Sequence, residues 1–178
     1  RIAGLDEVGR GPLAGPVVAA AVVLMPKLHL SMPTSRLGKL RDSKQLSSKQ
    51  REEWYRLFLE DSKIQWGIGK VSEKIIDRIN ILQATRLAME KAVRNLEKKL
   101  QQNIDFLLID GIFTIDTFHR QRAVKRGDER ILSCAVASIV AKVSRDRLMD
   151  KYHLKYPEYG FDKHKGYGTT QHLKMLLR

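Results

Sequence analysis

The sequence predicts an α/β domain built around a mixed sheet, and three observations point to it. Two short apolar runs rich in small and β-branched residues, Ile2 to Leu5 and Pro16 to Met25, flank a stretch of glycine and proline. From Ile81 to Leu100 the apolar residues Leu82, Met89, Val93, Leu96 and Leu100 recur at helical spacing, with basic residues on the other face. Asp105 to Asp110 (DFLLID) is then a further apolar run that ends on an acid.

Taken in order, the first two runs read as buried strands joined by a tight loop. Ser47 followed three residues on by Gln50 forms a capping box, and Trp54, Leu57 and Phe58 continue at helical spacing, which predicts a surface helix with one apolar face. Ile64 to Val71 is a weaker strand. The long amphipathic helix over 81–100 and the strand 105–110 follow. Arg122 to Lys125 is a candidate edge strand, Ile131 to Lys151 an alanine-rich helix, and Pro157 stands just beyond it. A last helix is expected to start at Thr169 or Thr170.

With 178 residues, 43% of them apolar and 30% charged, the chain can bury one core. A single domain over residues 1–178 is expected, with a C-terminal helical part from about residue 150. The chain opens at Arg1 on a strand-like segment and stops at Arg178 in mid-pattern, so further residues are expected at both ends.

Lys and Arg number 33 against 20 Asp and Glu, a net charge of +13 that attracts polyanions. The basic residues are spread along the chain and form no basic amphipathic anchor, so nucleic acid, not membrane, is the expected partner. The longest apolar run, Pro16 to Met25, is too short to span a bilayer. Cys134 is the only cysteine, which excludes an intrachain disulfide and a cysteine-based zinc site and suits a reducing cytoplasm. A monomer is expected.

Basicity cannot separate an enzyme from a passive binder, so the acids carry the chemistry. Asp6 and Glu7 end the first strand, where alternation turns their side chains to opposite sides unless the following glycines bend the chain. Asp110 closes another strand before Gly111, at the edge where α/β sheets place ligands. Carboxylates gathered there would repel unless a divalent cation neutralised them, and oxygen-only ligands select Mg²⁺ or Mn²⁺. Asp128, in Lys125-Arg126-Gly127-Asp128, sits among cations suited to a phosphate-facing loop; on its own it reads rather as a turn residue or helix-entry cap. Asp146 has a plain partner in Lys142, four residues earlier on the same helix.

The segment from Gly9 to Pro16 (GRGPLAGP) lacks the Gly-Lys-Ser/Thr of a phosphate-binding P-loop. It also lacks the helix and the later acid of a dinucleotide fingerprint, since a β-branched run follows and His29 stands where the acid belongs. Gly9 and Gly11 read instead as a means of bringing backbone amides against a bulky ligand, with Arg10 beside them. His164 to Thr169 (HKGYGT) offers an aromatic ring between two glycines. It is either an ordinary surface loop or a stacking platform for a sugar or base whose hydroxyl can meet a 2′-OH. Lys44, in Asp42-Ser43-Lys44, is a candidate phosphate contact. His119, His153 and His172 show no metal-binding spacing.

The ordered series Gly4 to Val17 (GLDEVGRGPLAGPV), Asp42 to Lys44, Asp110-Gly111, Lys125 to Asp128, Ala137 to Asp146 (ASIVAKVSRD), and Tyr159 to Phe161 with His164 to Thr169 resembles the bacterial ribonuclease HII family over nearly the whole chain. The resemblance implies a ribonuclease H-like fold: a five-stranded mixed sheet, its first three strands antiparallel, flanked by helices, with a C-terminal helical part. It implies that Asp6, Glu7, Asp110 and Asp128 are the catalytic and metal-binding carboxylates for Mg²⁺ or Mn²⁺, which promotes Asp128 over Asp146. It further implies substrate contacts from Gly9, Arg10, Gly11, Lys44, Lys142, Lys165 and Tyr167, and cleavage of RNA in RNA–DNA hybrids and 5′ of ribonucleotides in duplex DNA. Outside that resemblance, a non-catalytic nucleic-acid binder and a DNA nuclease of the same fold remain the rival readings, and a nucleotide-cofactor oxidoreductase is disfavoured.

Overall fold

The computed structural model describes residues 1–25, 40 and 46–177. Five strands, β1 (Ile2–Val8), β2 (Val17–Leu24), β3 (Ile64–Val71), β4 (Phe106–Asp110) and β5 (Arg120–Val124), form one sheet in the order β3-β2-β1-β4-β5. The first three are antiparallel to one another, and β4 and β5 join parallel to β1 and to each other, as expected for the ribonuclease H-like arrangement.

Helices cover both faces: α1 (Ser48–Glu60), α2 (Glu73–Leu100), α3 (Gly127–Arg130), α4 (Leu132–Lys155), α5 (Phe161–His164) and α6 (Thr170–Leu176), with a 3₁₀ turn at Pro157–Tyr159. None of the described helices is long and apolar enough to cross a membrane. On one face Leu5, Ala19, Ala21, Leu107 and Ile109 pack against Ala88, Met89, Ala92 and Leu96 of α2. On the other, Ala20 and Val22 meet Trp54 and Phe58 of α1 and Val136, Ile139 and Val140 of α4. β2 is covered on both sides, so its sequence is an unbroken apolar run without alternation. Small residues set the layer spacing. A Cβ on Gly69 would stand 1.9 Å from the Ala88 carbonyl oxygen, so α2 lies on β3 backbone against backbone.

The capping box at Ser47 is formed, with the Gln50 amide donating to Ser47 Oγ at 3.3 Å and the Ser47 amide to Gln50 Oε1 at 2.9 Å. The helix expected over 81–100 is also present, extended by a preceding segment from Glu73 that the pattern did not predict. The two segments meet at Asn80, whose backbone (φ 65°, ψ 166°) leaves the helical region while its Oδ1 accepts from Leu82 and Gln83 amides at 3.0 and 3.1 Å. A fresh N-cap inside the element therefore marks the boundary the periodicity found.

β5 begins two residues before the expected Arg122 and ends at Val124. Backbone pairing with β4, Phe106 to Arg120 through Asp110 to Val124, sets its extent, and an edge strand reading RQRAV carries little hydrophobic signal. α4 outruns its expected end at Lys151 and stops at Lys155, just before Pro157 forbids continuation. The last helix starts where expected, with Thr169 Oγ1 accepting from the His172 amide at 3.3 Å.

Candidate active site

Parallel pairing of β1 with β4 sets Leu5 beside Ile109. One residue further, alternation turns Asp6 and Asp110 together to the α4 face, at the strand ends. Asp128 reaches the same point from α3, the short helix between β5 and α4. Each of these three carboxyl groups offers one oxygen, and the three oxygens lie within 4.8 Å of one another. The Gly127 amide donates to Asp110 Oδ1 at 2.7 Å, which ties the α3 turn to the end of β4.

Such a cluster is electrostatically costly. The Asp6 carboxyl is pushed well above its ordinary value, first by burial, then by the charges of Glu7 and Asp110; hydrogen bonds from Ser138 and the Glu7 amide offset only part of this. Burial also raises Glu7, against the opposing effect of Arg10. An arrangement of hard oxygen donors whose charges repel fits a divalent cation such as Mg²⁺ or Mn²⁺.

Glu7 stands apart from the other three acids. β1 continues through it to Val8, and its carboxylate is not one of the three that converge, although it feels the charge of Asp110. It instead accepts from Arg10 Nη1 at 3.1 Å, and Arg10 lies 5.4 Å from the Phe113 ring centroid. Glu7 still borders the cleft of about 420 Å³ that holds Asp6 and Asp110, together with Gly9, Arg10, Gly11, Ser138, Lys142 and Tyr167.

The wall opposite the acids consists of two glycine turns zipped together. Leu13 and Ala14 amides donate to the Gly166 carbonyl at 2.9 and 3.3 Å. A Cβ on Gly166 (φ +88°) would stand 2.3 Å from the Ala14 carbonyl oxygen, so only glycine permits this approach. At the crossing lies Arg145, fully buried in α4. Its Nε donates to Pro16 O at 2.9 Å, Nη1 to Lys165 O at 2.9 Å and Nη2 to Ala14 O at 3.1 Å. Among the described residues it has no carboxylate partner, and burial pulls its pKa below the ordinary guanidinium value.

The result is a fixed Tyr167, 43% exposed, its ring 3.6 Å from where a Cβ on Gly11 would stand. Behind it the Tyr167 carbonyl meets His172 Nδ1 at 2.9 Å, and the rings of His172 and His164 stack 4.5 Å apart. Tyr167, the glycine turn, Asp6 and Asp110 line one cleft. Lys142 lies 6.0 Å from the Tyr167 ring centroid and pairs with Asp146 at 2.7 Å, the i,i+4 bridge its spacing suggested. The ammonium of Lys165 is paired with Asp150 in the adjoining groove, so it is the backbone of this residue that shapes the cleft. Lys44 lies outside the described residues.

Sequence reasoning assigned no role to Arg145 or Ser138. A polar residue in an alanine-rich helix looks solvated, and nothing local reveals that carbonyls from two distant turns, or a buried acid, stand opposite it.

Comparison with known proteins agrees with this geometry. The sequence model described as Ribonuclease HII matches residues 3–178. The chain is 51% identical over 177 residues to a ribonuclease HII of Chlamydia trachomatis serovar A, covering 99% of this chain and 76% of that one. It is 52% identical to a ribonuclease HII of Syntrophobacter fumaroxidans, covering 99% and 71%. The crystal structure of ribonuclease H2 from Pyrococcus horikoshii superposes with a TM-score of 0.78 at 26% identity, covering 99% of this chain and 84% of that one.

Proposed function

Because the chain belongs to the ribonuclease HII family, we propose that it is an endoribonuclease that hydrolyses the RNA strand of RNA–DNA hybrids and incises 5′ of ribonucleotides embedded in duplex DNA, leaving 3′-hydroxyl and 5′-phosphate ends. The observation that carries the proposal is the gathering of Asp6, Asp110 and the buried Asp128, the first two lining a cleft shared with the glycine turn and Tyr167.

Asp6, Asp110 and Asp128 would hold the divalent ions, with Glu7 at the cleft's edge as the fourth acid. Divalent ions held there would supply an activated water for in-line attack and charge stabilisation for the departing 3′-oxygen. The chain's own residues do the rest. Asp6 would ligate in its ionised form, which the Ser138 hydroxyl favours against the effect of burial. Gly9 and Gly11 let the sugar-phosphate backbone approach the main chain without meeting a Cβ. Tyr167, held from behind by Arg145 and His172, offers its ring to the sugar; a 2′-OH is what separates ribose from deoxyribose in this cleft. Lys142, with Arg10 across the cleft, balances the phosphate charge.

The test uses labelled duplexes carrying one ribonucleotide, several, or none, with and without Mg²⁺ or Mn²⁺. Metal-dependent cuts 5′ of ribose, and none in all-DNA duplex, are expected. Salt-sensitive binding without products would favour a passive binder, and cutting of all-DNA duplex would favour a DNA nuclease.

A further inference from the structure

α4 packs chiefly on β1 and β2 and touches β4 only lightly on the same face of the sheet. A second hollow of about 480 Å³ opens there, with Leu108, Val124 and Ile131 as its floor and Arg122, Lys125 and Arg130 around it. Arg122 pairs in register with Leu108, and Val124 with Asp110, so Arg122 and Asp110 side chains share one face. Along the strand they are about 7 Å apart, or about two base-pair rises. Arg130 follows Asp128 by two residues. The hollow therefore lies beside the carboxylate cluster along β4 and β5.

Its charges differ from those of the cleft in one respect. Arg10, Lys142 and Lys165 beside the cleft are each paired with an acid, on Glu7, Asp146 and Asp150. Arg122, Lys125 and Arg130 are exposed, and among the described residues none of them stands in an ion pair. No acid lines the hollow. Three cations converging on one concavity repel each other, and a polyanion lying across them would relieve this and release counterions.

We propose that this hollow binds the phosphodiester backbone of the substrate duplex beyond the point of cleavage, with Arg122, Lys125 and Arg130 grasping a phosphate. The proposal rests on the ribonuclease reading for its substrate, but it concerns the backbone alone and so applies equally to duplex with or without ribose. Adjacency to the carboxylate cluster favours nucleic acid over an acidic peptide laid along the free edge of β5.

The experiment measures binding of a ribonucleotide-containing duplex and an all-DNA duplex by fluorescence anisotropy across a salt series without divalent metal. It compares the wild type, the triple variant Arg122→Gln, Lys125→Gln and Arg130→Gln, and a charge-matched control, Arg94→Gln, Lys98→Gln and Lys99→Gln, on α2 across the sheet. The groove variant should bind both duplexes about tenfold more weakly. Its slope of log K against log salt should be shallower by about 1 for each phosphate that is no longer neutralised. The control should stay near the wild type. Equal weakening in the control, unchanged affinity in the groove variant, or displacement by polyglutamate with duplex binding unaffected would each overturn the proposal. If the wild type fails to cut at ribose but the groove variant alone loses affinity for both duplexes, the ribonuclease reading fails and the backbone site stands.

Discussion

Replacing Arg145 with methionine tests whether the buried guanidinium is what fixes the cleft wall. The substitution keeps length and apolar bulk in α4 but removes the donors to Pro16, Ala14 and Lys165 carbonyls. A hydrogen bond from a charged group contributes about 1.5–3 kcal/mol, and the desolvation cost of burying the cation is recovered when it is deleted. The net loss should resemble that of breaking a buried charged network, about 3–5 kcal/mol. In a domain of this size each kcal/mol shifts Tm by about 2–4 °C, so Arg145→Met should melt about 10 °C lower in a metal-free thermal scan. Amides of Leu13 and Ala14, which donate to Gly166, should exchange faster at temperatures where the sheet amides do not. Arg145→Lys keeps the charge but cannot span three acceptors in a fork, so it should recover only part of the loss. If the methionine variant melts within about 2 °C of the wild type and its turn amides stay protected, the clamp is not what orders the wall.

Asp110→Asn retains the Oδ1 that accepts from the Gly127 amide while removing a charge beside Asp6. Cleavage should vanish with hybrid binding retained, and the metal-free protein should melt about 2–4 °C higher, for about 1 kcal/mol of relieved repulsion; retained cleavage would remove Asp110 from the mechanism. The raised Asp6 pKa predicts a pH trend. A group that holds its proton to higher pH in the fold than in the unfolded chain favours the fold below its ordinary value of 3.8, and that contribution is lost as pH rises through the folded value. Asp6→Asn should accordingly gain Tm over the metal-free wild type as pH rises, and a gain that is flat or shrinks with pH contradicts the assignment. Gly69→Ala places a Cβ 1.9 Å from the Ala88 carbonyl and should cost about 1–3 kcal/mol, seen as a lower Tm. Gly11→Ala meets only the Tyr167 ring at 3.6 Å, so its Tm should hold while incision at single ribonucleotides falls; equal loss on all substrates would argue against a ribose gap there.

The sequence made the sheet and two of its acids legible because both rest on local rules. β2 is apolar throughout, and the DFLLID run places Asp110 at a strand's end, where a charged residue after buried positions needs a reason. What escaped was settled by distance in space. Along the chain Asp128 stands barely above Asp146, and the family resemblance is what promotes it; in the fold Asp128 is buried with Asp110 while Asp146 pairs with Lys142. Glu7 lies outside the trio of converging oxygens, as strand alternation allows, yet it borders the same cleft as Asp6 and Asp110. Arg145 is the hardest case. Sequence patterns equate a guanidinium with solvent because burying one without an acid is normally prohibitive. Here three backbone carbonyls take the acid's place, and they come from turns that meet only because Gly166 lacks a side chain. The glycines and the arginine are thus a single device: the glycines permit the approach, and the arginine satisfies the carbonyls it brings together. A cleft beside repelling carboxylates needs a wall that does not relax into it, and that wall is held by polar bonds that hydrophobic periodicity cannot reveal.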